Sequence, residues 1–129
     1  MKAIVSVDDE MLITQVLKFQ LSKHFDQNEL IVETLNEPNL TGSLIEEIIA
    51  MGIEVPLVIV DYQMPKINGA QLIMELRKNY PKIRYVMLSG QANEVVVEEL
   101  IEAGVIDAFI SKPWEENELL RKLEALLHE

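Results

Sequence analysis

The sequence predicts an α/β fold, an open parallel sheet of five strands with helices on both faces. Five short runs are almost continuously apolar, as strands buried on both sides must be. Each run is followed by a segment with helical apolar spacing, which is the alternation of a doubly wound sheet. The length agrees. The chain has 129 residues, 49% of them hydrophobic and 26% charged, enough for one domain whose core needs no staple.

The first strand reads Ala3–Val7, and Leu12, Ile13, Val16, Leu17 and Leu21 then set the expected core stripe of the first helix. The second strand reads Leu30–Leu35. Its helix carries Leu44, Ile45, Ile48 and Ile49 after Ser43, with Glu46 placed to complete a capping box. The third strand, Leu57–Asp61, precedes a stripe of Leu72, Ile73 and Leu76 between Gly69 and Pro81. The fourth, Ile83–Ser89, precedes Val96, Leu100 and Ala103, with Asn93 as the expected N-cap and Gly104 as the stop. The fifth, Ala108–Ser111, leads into Leu119, Leu120, Leu123, Leu126 and Leu127. The pattern fills residues 1–129 as one domain, and no output domain is expected in this chain. Met51, Met64, Met74 and Met87 are expected to fill the core.

Composition removes several functions. The chain has 11 basic and 22 acidic residues, a net charge of −11. Phosphate backbones repel such a surface, so direct nucleic-acid binding is not expected. Divalent cations and basic partners are favoured instead. With no cysteine, disulfides, thiol catalysis and thiolate-bound zinc are excluded. No apolar run reaches the roughly 20 residues that cross a bilayer. The N-terminal run meets Asp8 and Asp9 too soon for a signal peptide. No membrane partner and a cytoplasmic location are the expectations.

The unusual polar residues stand at strand ends. Asp8 and Asp9 follow the first strand, Asp61 and Ser89 close the third and fourth, and Lys112 and Pro113 follow the fifth. Ligands of open α/β sheets bind at those ends, where the strand order reverses. If the first and third strands are neighbours, three carboxylates converge. Their repulsion raises the cost of ionisation, and a hard divalent cation relieves it with oxygen ligands. Two carboxylates for a metal, a third as nucleophile, a hydroxyl and an ammonium are the parts for phosphoryl transfer to a carboxylate.

Val7-Asp8-Asp9-Glu10, Val60-Asp61-Tyr62-Gln63-Met64-Pro65 with Asn68-Gly69, Leu88-Ser89-Gly90 and Phe109-Ile110-Ser111-Lys112-Pro113 together resemble the CheY-like response-regulator receiver family of two-component signal transduction. The resemblance implies a flavodoxin-like (βα)5 sheet of strand order 2-1-3-4-5. It implies Asp61 as phosphoacceptor and Mg2+, or Mn2+, held by Asp8, Asp9, Asp61 and the backbone carbonyl of Gln63. Lys112 and Ser89 would attend the phosphoryl group, with Ser89 and Phe109 as the switch pair. Pro113, often after a cis bond, and Gly69 would be structural. The implied donor is a sensor histidine kinase or a histidine phosphotransfer protein, docking toward the first helix. The implied output is an unidentified downstream protein, met through the face of helix 4, strand 5 and helix 5. The chain would be a monomer or a phosphorylation-dependent dimer. It would not be an enzyme beyond self-phosphorylation and self-dephosphorylation at Asp61. Asn68 stands where aspartate is common, as a turn residue. Gly104–Phe109 is one residue longer than in the simplest receivers and, with Lys112-Pro113-Trp114, resembles receivers joined to cyclic-dinucleotide phosphodiesterase or kinase modules. Gln63 and Gln91 stand at positions that tune hydrolysis of the acyl phosphate, and an intermediate to slow rate is expected.

Three other functions compete with this one. A phosphorylation-independent adaptor would keep its partner when Asp61 is replaced by Asn. A haloacid-dehalogenase-like phosphatase needs an acid two residues beyond its nucleophile, where this chain has Gln63. A flavodoxin-like FMN carrier is excluded by the charge of Asp8-Asp9-Glu10, which repels a phosphate.

Overall fold

The computed structural model describes residues 1–90 and 94–128, with residue 94 described by its backbone alone. Strands β1 (Lys2–Val7), β2 (Leu30–Leu35), β3 (Glu54–Asp61), β4 (Arg84–Ser89) and β5 (Ala108–Ser111) alternate with helices α1 (Met11–His24), α2 (Thr41–Ala50), α3 (Gly69–Asn79), α4 (Glu94–Glu102) and α5 (Glu116–Leu127). Every strand pair is parallel and the order is β2-β1-β3-β4-β5. This is the flavodoxin-like arrangement. The chain runs outward from β1 to β2 and then back to β3, so the order reverses between β1 and β3. Val7 pairs with Val60 across that boundary, which sets Asp8 beside Asp61.

The continuous apolar runs are buried on both sides. Ala3, Val5, Val7, Val58, Val60, Tyr85 and Met87 pack with Ile45, Ile48, Ile73 and Val97, under α2, α3 and α4. Ile4, Leu57, Ile59, Val86 and Leu88 pack with Leu17, Leu21, Leu119 and Leu123, under α1 and α5. Each such aliphatic side chain contributes about 1.5–3 kcal/mol of burial.

Four helix readings are corrected. In α1 the buried residues are Thr14, Leu17 and Leu21, while Leu12 is 70% and Val16 37% exposed. The helix turns its 14-17-21 stripe to the sheet. Ser43 does not cap α2. The helix begins at Thr41 after a 3-10 turn over Pro38–Leu40, and Thr41 Oγ1 donates to Pro38 O at 2.7 Å. In α4 the buried valine is Val97, one residue beyond the expected Val96, and Ala103 is exposed. Ile49, Met51 and Met74 are exposed, whereas Met87 is core; the three exposed side chains lie on the solvent sides of α2 and α3 or just beyond. Gly104 does end α4. Its φ of +74° is the left-handed conformation that suits glycine, and its N–H donates to Ile101 O at 3.0 Å. The expected cap Asn93 lies outside the described residues.

Asn68 is more than a turn residue. Its side chain accepts from Gln71 N–H at 2.8 Å, and Gln71 Oε1 accepts from Asn68 N–H at 3.2 Å, a full capping box for α3. Gly69 has no room for a side chain. A Cβ there would run into the Asp61 carbonyl oxygen and lie 2.9 Å from Tyr62 Cα.

Candidate functional site

Alternation along the strands carries the chemistry to one place. Asp8 continues the Ile4-Ser6 parity of β1, and Asp61 continues the Leu57-Ile59 parity of β3. Asp8 is 1% and Asp61 3% exposed. Asp9 is exposed at the rim. Carboxylate oxygens of Asp8, Asp9 and Asp61 lie within 4.8 Å of one another. Lys112 reaches in from the end of β5. Its Nζ is 2.9 Å from Asp61 Oδ1 and 3.0 Å from Asp8 Oδ2. Its backbone N–H donates to Ser89 O at 3.0 Å, fixing the start of the β5–α5 loop. The Lys112–Pro113 peptide bond is cis.

Electrostatics follow from burial. Loss of water pushes Asp8 up to about 6, against the opposing pull of Glu10 N–H and Lys112. Asp61 is raised for the same first reason, with Lys112 and the Gln63 N–H opposing and Asp9 adding repulsion. Burial works to lower Lys112, but its hydrogen bonds to Asp61 and Asp8 outweigh it and hold the ammonium above its ordinary value. The donor set is therefore three carboxylates and one cation, with Asp8 and Asp61 buried and Asp9 exposed at the rim. Those residues fit a hard divalent metal such as Mg2+ or Mn2+, which takes carboxylate oxygens and retains waters.

Ser89 is buried at the end of β4. Phe109 is partly buried against the core beneath α4 and pairs in register with Met87, two residues before Ser89. The hydroxyl and the ring thus share the α4 side of the sheet. Gln63 is exposed, and its N–H is directed to Asp61. Gln91 lies outside the described residues.

Three supports escaped the sequence reading. Asn36, just beyond β2, donates Nδ2 to Asp8 O at 2.8 Å and lies 3.2 Å from Thr14 Oγ1. Thr14 itself is buried and donates to Met11 O at 2.9 Å. Glu10 N–H donates to Asp8 Oδ1 at 2.9 Å. The only signal for Thr14 is its place four residues after Glu10 and three before Leu17; for Asn36 it is its place at a strand end. Farther out, Trp114 Nε1 donates to Gln20 Oε1 at 2.8 Å, tying the β5–α5 loop to α1. A groove of about 340 Å3 opens beside Asp9, lined in part by Asn36, Pro38, Pro65 and Lys66. A larger cleft of about 700 Å3, with Lys2, Ile53 and Tyr80 in its lining, lies at the opposite end of the strands, away from this chemistry.

Among the described residues, no helix is long and apolar enough to cross a membrane. The chain is 28% identical over 128 residues to a transcriptional regulatory protein CpxR homolog of Haemophilus influenzae, covering 98% of this chain and 51% of that protein. It is 32% identical over 77 residues to the sensor kinase CckA of Brucella abortus, covering 60% of this chain and 8% of the kinase. The chain thus spans about half or less of these curated relatives. Among solved structures, a CheY-like response regulator receiver domain protein of Methanospirillum hungatei matches with a TM-score of 0.81 at 26% identity, over 99% of this chain and 95% of that one. The signal receiver domain of an HD domain-containing protein of Pseudomonas fluorescens matches with a TM-score of 0.80 at 26% identity, over 98% and 87%. The model of the response regulator receiver domain family matches residues 4–124, so the chain belongs to the receiver domains of two-component response regulators.

Proposed function

We propose that this receiver takes a phosphoryl group onto Asp61 in a Mg2+-dependent reaction and that the modified state changes partner binding. The observation that carries the reading is the Lys112 ammonium bridging two buried carboxylates, Asp61 and Asp8, beside a third. The donor would be a phosphohistidine of a sensor kinase or phosphotransfer protein. A kinase and a transcriptional regulator are among the relatives.

Asp61 Oδ attacks phosphorus, the bond from phosphorus to the donor nitrogen breaks, and the electron pair leaves with the imidazole. Burial raises the Asp61 pKa, which makes its carboxylate a better nucleophile, while the Lys112 ammonium opposes that rise and favours the ionised form. Lys112, held by Asp8 and Asp61, stands ready to pair with a phosphoryl oxygen once the Asp61 carboxylate becomes a mixed anhydride. Asp8, Asp9 and Asp61 would hold the metal, with the carbonyl of Gln63 as a further ligand; the metal supplies charge neutralisation at phosphoryl oxygens when bound. Ser89 would donate its hydroxyl to the phosphoryl group, and Phe109 would turn toward the space that Ser89 leaves. The charge change thereby biases the α4–β5–α5 face between two arrangements. On this reading the only chemistry is self-phosphorylation and self-dephosphorylation.

Intact mass after incubation with acetyl phosphate and Mg2+ tests the proposal. One phosphoryl adduct is expected, lost without Mg2+ and lost in Asp61→Asn. An adduct that survives in Asp61→Asn would move the acceptor elsewhere. A partner bound equally by the wild type and Asp61→Asn under these conditions would mark a phosphorylation-independent adaptor.

A further inference from the structure

Asp8 and Asp61 are buried and share the Lys112 ammonium, whereas the Asp9 side chain stands exposed at the rim. Its carboxylate is placed by the loop that carries it, so whatever holds that loop sets the third acid of the site. The loop between β1 and α1 is held from within and from outside. Within it, Asp8 Oδ1 accepts from Glu10 N–H at 2.9 Å and closes a turn around Asp9. From outside, Leu35 O at the end of β2 accepts from Asp8 N–H at 3.1 Å. Asn36, the next residue, reaches back into the loop. Its Nδ2 donates to Asp8 O at 2.8 Å and lies 3.2 Å from Thr14 Oγ1. Thr14 is 1% exposed and gives its own hydroxyl hydrogen to Met11 O at 2.9 Å, so its oxygen is left to accept from Asn36.

One amide group thus holds both sides of the loop, the exit of β1 and the first turn of α1. Two N–H bonds on one nitrogen make this possible, and neither a hydroxyl nor a carboxylate offers them. Asp8 O belongs to the peptide plane that leads into Asp9. Gripping that oxygen fixes the plane, and with it the direction in which the Asp9 side chain leaves the backbone. We propose that Asn36, with Thr14 behind it, is a positioning residue that makes the site of Asp8, Asp9 and Asp61 select a small cation, Mg2+ or Mn2+, over Ca2+. The inference rests on the metal site proposed above and adds what tunes it. The physical reason is size. Mg2+ demands near-ideal geometry with oxygens at about 2.0–2.1 Å, while Ca2+ accepts a looser shell at about 2.3–2.6 Å. A ligand on a loosely held loop therefore penalises the small ion more than the large one. The charge of the site is the same with Asn36 or without it, so the clamp acts on selectivity through geometry alone.

Direct metal binding to the unphosphorylated protein is the test. Free Mn2+ is read by its electron resonance, and Mg2+ and Ca2+ by the Mn2+ that they displace. Asn36→Ala should weaken Mg2+ and Mn2+ about tenfold, the effect usual for groups that orient a metal ligand, and Ca2+ by much less. The preference for Mg2+ over Ca2+ then falls several-fold. Thr14→Val keeps the shape, loses the acceptor and should move the preference the same way by less. Thr14→Ser keeps the hydroxyl and should leave it as in the wild type. A remote variant separates stability from positioning. Arg77, at the other end of the sheet, donates Nε to Val105 O at 2.7 Å and Nη2 to Asp107 Oδ2 at 2.6 Å. Arg77→Lys loses that fork and should lower stability with the preference unchanged. An unchanged preference in Asn36→Ala, including Mg2+ and Ca2+ weakened equally, overturns the inference and leaves the metal site standing. If Asn36→Ala does not fold, Thr14→Val against Thr14→Ser decides on the same readout. A shift in Arg77→Lys as large as that in Asn36→Ala makes the effect one of stability and also overturns the inference. A wild type that binds no Mn2+ overturns the proposed metal site and this inference together.

Discussion

Replacing Asp8 by Asn should flatten the dependence of stability on pH. In the metal-free protein burial raises Asp8 from 3.8 to about 6, so the folded state binds that proton more tightly than the unfolded chain. The native preference is fully present below the unfolded value and is lost as pH rises through about 6. Near 1.4 kcal/mol per unit, the full span is worth about 3 kcal/mol, of which roughly half is lost between pH 5 and 8. Asp61 is raised as well and adds to the slope with the same sign. Urea unfolding of the wild type and Asp8→Asn, at steps from pH 5 to pH 8, reads the contribution of Asp8 together with the change its loss makes at Asp61 and Lys112, which share its contacts. The wild type is expected to lose about 1.4 kcal/mol more than the variant over that range. Added Mg2+ should remove most of the difference by stabilising the ionised carboxylates of the wild type. Parallel pH profiles for the two proteins would refute the claim that Asp8 is held in a water-poor site.

Among the described residues, Ser6 Oγ, buried beneath this site, finds no hydrogen-bond partner, so Ser6→Ala should raise stability by about 1 kcal/mol in the same urea assay. Gly69→Ala should lose about 1–3 kcal/mol, since its Cβ meets the Asp61 backbone, and the phosphoryl adduct should form more slowly. Leu12 and Phe19 are 70% and 67% exposed on α1, and Leu12→Ser with Phe19→Ser should leave stability within about 0.5 kcal/mol per site. If a histidine donor docks on this helix, the pair will slow transfer from a phosphorylated phosphotransfer protein and leave acetyl phosphate reactivity unchanged.

The strands were legible because a strand buried on both faces has one simple signature, and Leu57-Val58-Ile59-Val60 shows it without interruption. The site was legible for the converse reason. An aspartate that ends such a run must be solvated, paired or at work, and parallel strands all end at one edge. The helix faces were less legible. Leu12, Val16 and Leu17 are equally apolar on paper, yet only Leu17 faces the sheet, and the discriminating residue, Thr14, is polar. The spacing that wrongly suggested a cap at Ser43 and Glu46 also occurs at Asn68 and Gln71, where it went unread and where the structure does form the capping box. Asn36, Arg77 and Asp107 gave no signal, because their partners lie 22 to 30 residues away and no local period connects them.

The arrangement at the strand ends opposes stability. One ammonium faces three carboxylates, so the pocket keeps excess negative charge in a place that water reaches poorly, and such charge is costly to bury. Apolar packing immediately beneath, at Ile4, Leu57 and Ile59, each fully buried, offsets that cost. Lys112 moderates it by sharing one proton-rich group between Asp8 and Asp61, but a single cation cannot satisfy both acids and Asp9. A site left short of positive charge is poised to take it from a divalent metal. If Asp61 accepts a phosphoryl group as proposed, the site would also change, because Lys112 would then be shared differently. On the proposed function, the buried acids and the cation between them would be one device, in which the local instability of the resting state would supply the drive for the response.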